Sequence, residues 1–447
     1  MPKRTENLDL LTAKITPTLY ALAAPIMLGA LLQTCYTMTD MFWVGRLGDQ
    51  AVAAVGTVGI LIWFCQSVLN APKVGGQIFT GQQLGAGNLA EAKEYTTASI
   101  RLTLIMSTIL TLILLIFHHP VLSIFALNEE VTRQAASDYL WVISIFLPIS
   151  SLPMLFSTLM TASGNSKTPF KITAMGLISN MLLDPLFILV FNMGTAGAAF
   201  ATILSQALQL LAYYIICHKQ DLYKGIKVFR WRFGAQSKLI LKLGIPSSIL
   251  NVFFSGVAIS VSRIVASFGD MAIAAQRIGV NVESISYAGA EGFTLALSSM
   301  LAQNYGAKNY ERSEKIYRTG YLLISIFSIF TTLFLFLAGP LFASLFLAQP
   351  EAISHASNYL RILSLSQIFM NVEIMLVGAF SALGNTIIPT IVVVSCMLLR
   401  IPLAIILSST TLAASGIWWA ITISTILKGL ILTLLFHFFR KKKLSLI

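Results

Sequence analysis

The run Gly85-Ala86-Gly87-Asn88-Leu89 returns later in the chain as Gly306-Ala307-Lys308-Asn309-Tyr310, and the interval between the two decides how the rest is read. Three further signals keep nearly the same interval of about 220 residues. Ala24-Pro25 answers to Ile245-Pro246. Ala162-Ser163-Gly164-Asn165 with Pro169 answers to Ala382-Leu383-Gly384-Asn385 with Pro389, and the region of Gly197 answers to that of Gly416. Self-similarity at a fixed period marks two copies of one unit.

Each copy is filled by apolar stretches. A membrane span needs roughly 20 apolar residues to cross the hydrocarbon core. Such stretches fall near 15–44, 51–80, 98–118, 138–158, 172–192 and 196–217, then near 239–267, 272–301, 319–347, 358–381, 389–408 and 416–439. The expected fold is therefore an all-α membrane protein of twelve transmembrane helices in two pseudo-symmetric six-helix bundles. The expected division is an N-terminal bundle over 1–218, a basic linker over 219–238 and a C-terminal bundle over 239–447. With six spans per copy both units have the same topology, so they pair about an axis along the membrane normal and leave a cleft in which a substrate could bind. The first stretch is too long for the apolar region of a signal peptide and is read as a retained helix.

Composition agrees. Of 447 residues, 56% are hydrophobic and only 11% charged, against about 25% charged in soluble domains. The net charge of +12 does not point to nucleic acid, because Lys and Arg lie between apolar runs and not on one folded basic face. They mark orientation instead, since positive charge stays on the cytoplasmic side. Lys3, Arg4 and Lys14 precede the first span; Lys93, Lys167 and Lys171 lie in later loops of the same parity; Lys219, Lys224, Lys227, Arg230, Arg232, Lys238 and Lys242 crowd the central connection; and Lys308, Arg312, Lys315, Arg318 and Arg440 to Lys443 complete the set. The opposite loops hold Arg46 and Arg133. Both termini are thus expected in the cytoplasm. Cys35, Cys65, Cys217 and Cys396 are scattered singly and read as packing residues, with no metal-binding or redox spacing.

Carboxylates inside a span are costly, about 2.5–3.5 kcal/mol on insertion scales, and are functional candidates by default. Asp40 lies toward the far end of the first span, and Asp184 lies in Asn180-Met181-Leu182-Leu183-Asp184-Pro185. Asn180 shares a helical face with Asp184, as Tyr36 does with Asp40. Two carboxyls sharing a low-dielectric site could hold one proton between them. The alternative for Asp40 is a helix cap or a loop partner. Glu283, Glu291 and Glu373 are secondary candidates in the second copy, where Arg263, Arg277, Arg361 or Arg400 could neutralise them. Asp40 and Asp184 fall near Val261 and Ala404 in the second copy, so the scaffold does not itself require the acids, and the coupling site is expected in the first half. Pro25 and Pro185 each remove a backbone hydrogen bond, to the carbonyls of Ala21 and Met181, and mark hinges or static kinks.

These residues resemble the multidrug and toxic compound extrusion (MATE) transporters. The resemblance rests on Pro25, the run Thr39-Asp40-Met41-Phe42-Trp43-Val44-Gly45, the Gly85-Ala86-Gly87 loop, the Ala162-Ser163-Gly164-Asn165 turn and the Asn180 to Pro185 motif. It covers nearly the whole chain and is nearest to the DinF-like branch. It implies a transporter rather than an enzyme, with no cofactor, working as a monomer among the lipids of the cytoplasmic (inner) membrane. The implied cargo is amphipathic, often cationic, drug-like compounds, exported in exchange for a proton or sodium ion. The residues matching the branch's ion network are Tyr36, Asp40, Tyr139, Asn180, Asp184 and Thr202, with Gln33 and Ser205 near the expected substrate chamber. Sodium, if it is the coupling ion, would sit at Asp40, Asn180, Asp184 and Thr202. A second branch carries an acid in the seventh span, where this chain has Asn251 and Ser255. A lipid-linked oligosaccharide flippase of the same superfamily is the main alternative, but its cavity should be strongly cationic. An intramembrane aspartyl protease needs Gly-x-Gly-Asp, and Asp184 follows Leu182-Leu183.

Overall fold

The computed structural model describes residues 7–125, 127, 129–224, 226, 234–346 and 350–444. Among these, every regular element is helical. The first copy comprises α1 (Ile15–Gly45), α2 (Asp49–Gly85), α3 (Leu89–Ile116), α4 (His118–Ser123), α5 (Glu130–Ile145), α6 (Leu147–Ala162), α7 (Lys167–Pro185) and α8 (Gly194–Cys217). The second comprises α9 (Ala235–Ala266), α10 (Asp270–Gly306), α11 (Tyr310–Phe346), α12 (Pro350–Ser364), α13 (Gln367–Ala382), α14 (Ile387–Ser408) and α15 (Ala414–Leu444). Of the central basic connection, Lys227, Arg230 and Arg232 lie outside the described residues, as do Lys3 and Arg4 at the start.

The repeat is written into the turns. Gly164 and Gly384 hold φ of 88° and 82°, and Gly48 and Gly269 hold 107° and 91°, a region open to glycine because it has no Cβ. Gly87 and Lys308 occupy equivalent left-handed positions at 74° and 57°, so the second copy places a lysine where the first has glycine. The asparagine after each turn does one job in all four places. Asn88, Asn165, Asn309 and Asn385 accept through Oδ1 from the amides of Glu91, Thr168, Arg312 and Ile388, at 3.0–3.2 Å. Each takes up an amide of the following helix that has no partner within that helix. Gly197 and Gly416 answer to each other for a different reason. A Cβ at Gly197 would stand 2.8 Å from the carbonyl oxygen of Phe187, and one at Gly416 would collide with that of Leu407.

Nine helices are long and apolar enough to cross a membrane among the described residues, and eleven spans result if each of two bent helix pairs is one span. Helix α10 has 37 residues but carries Arg277, Glu283 and Glu291 and falls outside that number. The stretches expected as single helices over 138–158 and 358–381 are the bent pairs, α5 with α6 at 58° and α12 with α13 at 54°. Pro148 explains the first break. It has no N–H to offer the carbonyl of Ser144, and that carbonyl accepts instead from the Thr111 hydroxyl at 2.8 Å. At the second break Ser364 and Ser366 donate back to the carbonyls of Arg361 and Leu363, a habit that bends helices. The carbonyl of Ile362 is taken by Thr422 at 3.1 Å. Irregular backbone is tolerated in an apolar interior when its polar groups are satisfied in this way.

Two compact units result, Met1–Asp9 with Leu28–Ser248 and Leu10–Met27 with Ile249–Ile447. The divisions in α1 and α9 follow directly on Pro25 and Pro246. Within the first unit α2 packs on α3, α5 and α6, while α8 packs on α5, α6 and α7. Within the second, α10 packs on α11, α12 and α13, while α15 packs on α12, α13 and α14. Cys65, Cys217 and Cys396 are buried and unbridged, as packing residues should be, whereas Cys35 is exposed on α1.

Candidate functional site

The end of α1 is held by an apolar core in the first unit. Val44 joins Val58 of α2, Tyr139, Leu140 and Ile143 of α5, and Ala198 and Ile203 of α8 in one buried cluster. This packing draws Asp40 inward to 8% exposure and leaves Asp184 on α7 wholly buried at 0%. Asn180, one turn before Asp184, donates from Nδ2 to its Oδ1 at 2.9 Å. Tyr36, one turn before Asp40, meets the Thr202 hydroxyl of α8 at 3.3 Å. The two carboxyls lie within hydrogen-bonding reach of each other, and Tyr36 and Tyr139 lie within electrostatic reach of both. Residues from four helices, far apart in sequence, thus converge.

The charge state of this cluster is its main feature. Among the described residues, neither Asp40 nor Asp184 makes a salt bridge. Asp40 Oδ1, Asp184 Oδ2 and Asn180 Oδ1 are all buried without a donor. Three acceptor oxygens in an apolar interior need something electropositive, because a buried acceptor left unmade costs about 1–3 kcal/mol and more when charged. A proton between the acids meets that need. So does a sodium ion, a hard cation that prefers oxygen ligands. Among the described residues no three His, Cys, Asp or Glu side chains gather as a metal site.

Gln33 is exposed on α1, and Ser205 is buried with its hydroxyl donated to the Ala201 carbonyl at 2.8 Å. No hydrogen bond among the described residues joins either to the acids. Pro185 closes α7, and the chain continues as one π-helical stretch, Leu186–Val190, a form that recurs at functional sites. Pro25 sits inside α1 without ending it.

The second unit is neutralised where the first is not. Glu373 on α13 pairs with Lys428 on α15 at 2.8 Å, both buried. Glu283 on α10 accepts from Gln367 at 2.9 Å and Tyr359 at 3.4 Å, and Gln367 in turn accepts from Ser286 at 2.9 Å. Glu291 is exposed. Among the described residues no ion pair joins Arg263, Arg277, Arg361 or Arg400 to these acids, although Arg400 lies within electrostatic reach of Glu283 and Glu373; Lys428 pairs with Glu373. A lone lysine inside the last apolar stretch was the available signal, since an ionisable residue within a span asks for a partner. Val261 and Ala404, which stand where the first copy has Asp40 and Asp184, are buried apolar residues.

Known proteins agree with this architecture. The MatE family model matches the chain twice, over residues 25–186 and 246–406, one match per copy. The chain is similar to the probable multidrug resistance protein NorM of Thermotoga maritima, 29% identical over 88% of this chain and 86% of that protein. It is also similar to an FAD transporter of Shewanella oneidensis, 25% identical over 94% of each. Among solved structures, a MATE protein in the bent conformation superposes with a TM-score of 0.90 at 23% identity, over 97% of both chains. The doubled family match over most of the chain, together with the shared fold, places this protein in the MatE family of membrane transporters.

Proposed function

We propose that the chain is an exporter of amphipathic, often cationic organic compounds across the cytoplasmic membrane, exchanging them for an inward proton at Asp40 and Asp184. The observation that carries this reading is the set of buried acceptor oxygens on Asp40, Asp184 and Asn180 that have no hydrogen-bond donor among the described residues. An uncompensated acid pair in an apolar interior takes up a cation and gives it back only when its surroundings change. That is the property a coupling site requires. Tyr36, Tyr139 and Thr202 line the pair, and sodium could use the same oxygens with Thr202. Gln33 lies on the same helix as Asp40 and would meet the substrate. Pro25 and Pro185 supply the points at which α1 and α7 bend as the acids load and unload.

The twelve-span architecture of the DinF-like branch follows if α10 is counted with the nine single helices and two bent pairs. Its length supports this, since 37 residues exceed the roughly 20 needed to span, and its polar residues find partners in Gln367, Tyr359 and Asn371. Lys and Arg then fall on the side of both termini, placing these in the cytoplasm. The chain works as a monomer in contact with lipid. Of the relatives, one is named for multidrug resistance and another as a transporter of FAD, which supports organic compounds as cargo. A flippase needs a strongly cationic central cavity, and the first bundle offers acids instead.

Transport in proteoliposomes with a pH gradient or a sodium gradient imposed separately tests the reading. Rhodamine 6G accumulation driven by the pH gradient alone is expected. Accumulation that ignores both gradients would remove the proposal.

A further inference from the structure

Within the second unit, the first turns of α11 and the last turns of α15 enclose a pocket of about 550 Å³, a size that suits a small ligand. Lys308, Arg318, Arg440 and Lys441 line it together with Glu311 and Glu314, four cations against two carboxylates. Glu311 is met by Lys315 at 2.6 Å, and Glu314 by Arg318 at 2.7 Å and by Arg440. Positive charge is therefore left over in the lining. We propose that this pocket seats the phosphate of an anionic membrane phospholipid. Such a site requires only that the chain lies in a membrane, whatever it transports.

Lys308 holds a left-handed backbone at a φ of 57°, a conformation that a residue with a Cβ rarely adopts. The first copy has Gly87 at that place and Thr97 where the second has Arg318. The turn thus forms without either cation, and the second copy keeps a strained lysine on the wall of a pocket. Backbone strain of this kind persists where function holds it. Among the described residues Lys308 makes no ion pair. Arg440 is the anchored member of the lining. Its guanidinium lies 5.1 Å from the centre of the Tyr317 ring and bonds Glu314, while its Nε is buried without an acceptor. A fixed guanidinium with an unused N–H, beside lysines that act as point charges, suits phosphate oxygens.

The surface that leaves the pocket favours a lipid over a free anion. Arg318 shares a face of α11 with Leu322, Ile326 and Phe330, all exposed. On α15, Leu434 and Leu430 lie two and three turns before Lys441 on its own face, and both are exposed. Both helices are long and apolar enough to span a membrane. Each passes from basic residues to bare apolar surface within one or two turns, as a headgroup boundary above acyl chains requires. Basic side chains just outside a span attract anionic lipid. Here they surround a pocket that can hold one headgroup.

Phosphatidylglycerol labelled with a fluorophore on one acyl chain is titrated against the purified full chain in detergent, with anisotropy as the readout. Saturable binding is expected, displaced by unlabelled phosphatidylglycerol but not by phosphatidylcholine or inorganic phosphate at the same concentration. Lys308→Gly is expected to weaken it about fivefold, the effect of one basic side chain beside an anionic lipid. Lys308→Gly with Arg318→Thr, which installs both residues of the first copy, is expected to weaken it about 25-fold. Glycine relieves the left-handed turn, so affinity falls in Lys308→Gly while stability rises, a divergence that misfolding does not produce. Lys167→Gln, which removes one exposed charge on α7, should leave the affinity unchanged. No saturable binding, equal weakening by Lys167→Gln, or full affinity in the double variant each overturn the proposal. Displacement by inorganic phosphate also overturns it, by making the pocket a site for the free anion. No cargo or ion gradient enters the measurement, so its outcome is independent of coupled export.

Discussion

Replacing Asp184 by Asn removes a charge and a proton-binding group while leaving the shape of the site almost unchanged. Asn180 Nδ2 still finds an oxygen at position 184, where it now meets Oδ1 at 2.9 Å, so the loss falls on coupling and not on packing. Exchange of one proton for one monovalent dye cation moves no net charge, so the pH gradient alone drives it. A gradient of about two pH units supplies roughly 2.7 kcal/mol, which at ~1.4 kcal/mol per tenfold sustains a cargo gradient of about 100-fold. Asp184→Asn should lower the steady-state gradient of rhodamine 6G in pH-driven proteoliposomes from that order to near unity. Its thermal stability should stay within about 1 kcal/mol of the unmodified protein, because no buried hydrogen bond is lost. The same holds for Asp40→Asn, which acts on the other member of the pair. A variant that is folded, monodisperse and still holds a gradient within a few-fold of the original would refute the reasoning, since a single remaining carboxyl would then suffice.

Other outcomes follow from packing. Lys428→Met should destabilise the protein by about 3–5 kcal/mol in chemical denaturation, because it leaves Glu373 buried and alone, and adding Glu373→Gln should recover most of the loss. A double variant no better than the single would contradict the pairing. Lys308→Gly should raise stability by about 0.5–1 kcal/mol, because lysine is held there at a φ of 57° that glycine adopts freely. Gly197→Ala should cost about 1–3 kcal/mol, because the added methyl would stand 2.8 Å from the Phe187 carbonyl oxygen; thermal unfolding in detergent reads both changes.

What could be read from the chain alone is what short-range chemistry determines. The Gly and Asn residues of the repeated turns encode their own backbone conformation and helix starts, so the repeat was visible before any contact was known. Asn180 and Asp184 share a face because four residues make about one turn, and their hydrogen bond follows. The convergence of Asp40 with Asp184 is nonlocal: the sequence marks two costly carboxylates in separate spans, and tertiary packing brings them within reach of each other. The bend at Phe146 had a local cause in Pro148, yet an unbroken apolar stretch masks a proline whose freed carbonyl is satisfied by a residue on another helix, Thr111. Lys428 and Glu373 lie on different helices, 55 residues apart, and periodicity carries no information about such a pair. Ser205 satisfies its hydroxyl within its own helix, a choice that residue type leaves open.

The central claim is that loading cargo and holding a proton on the Asp40–Asp184 pair exclude one another. Proton release on binding measures this directly, using a pH indicator and purified protein in weakly buffered detergent solution titrated with rhodamine 6G. The account predicts release of about one proton per bound dye, and none from the variant carrying both Asp40→Asn and Asp184→Asn. The same release from that double variant would contradict it.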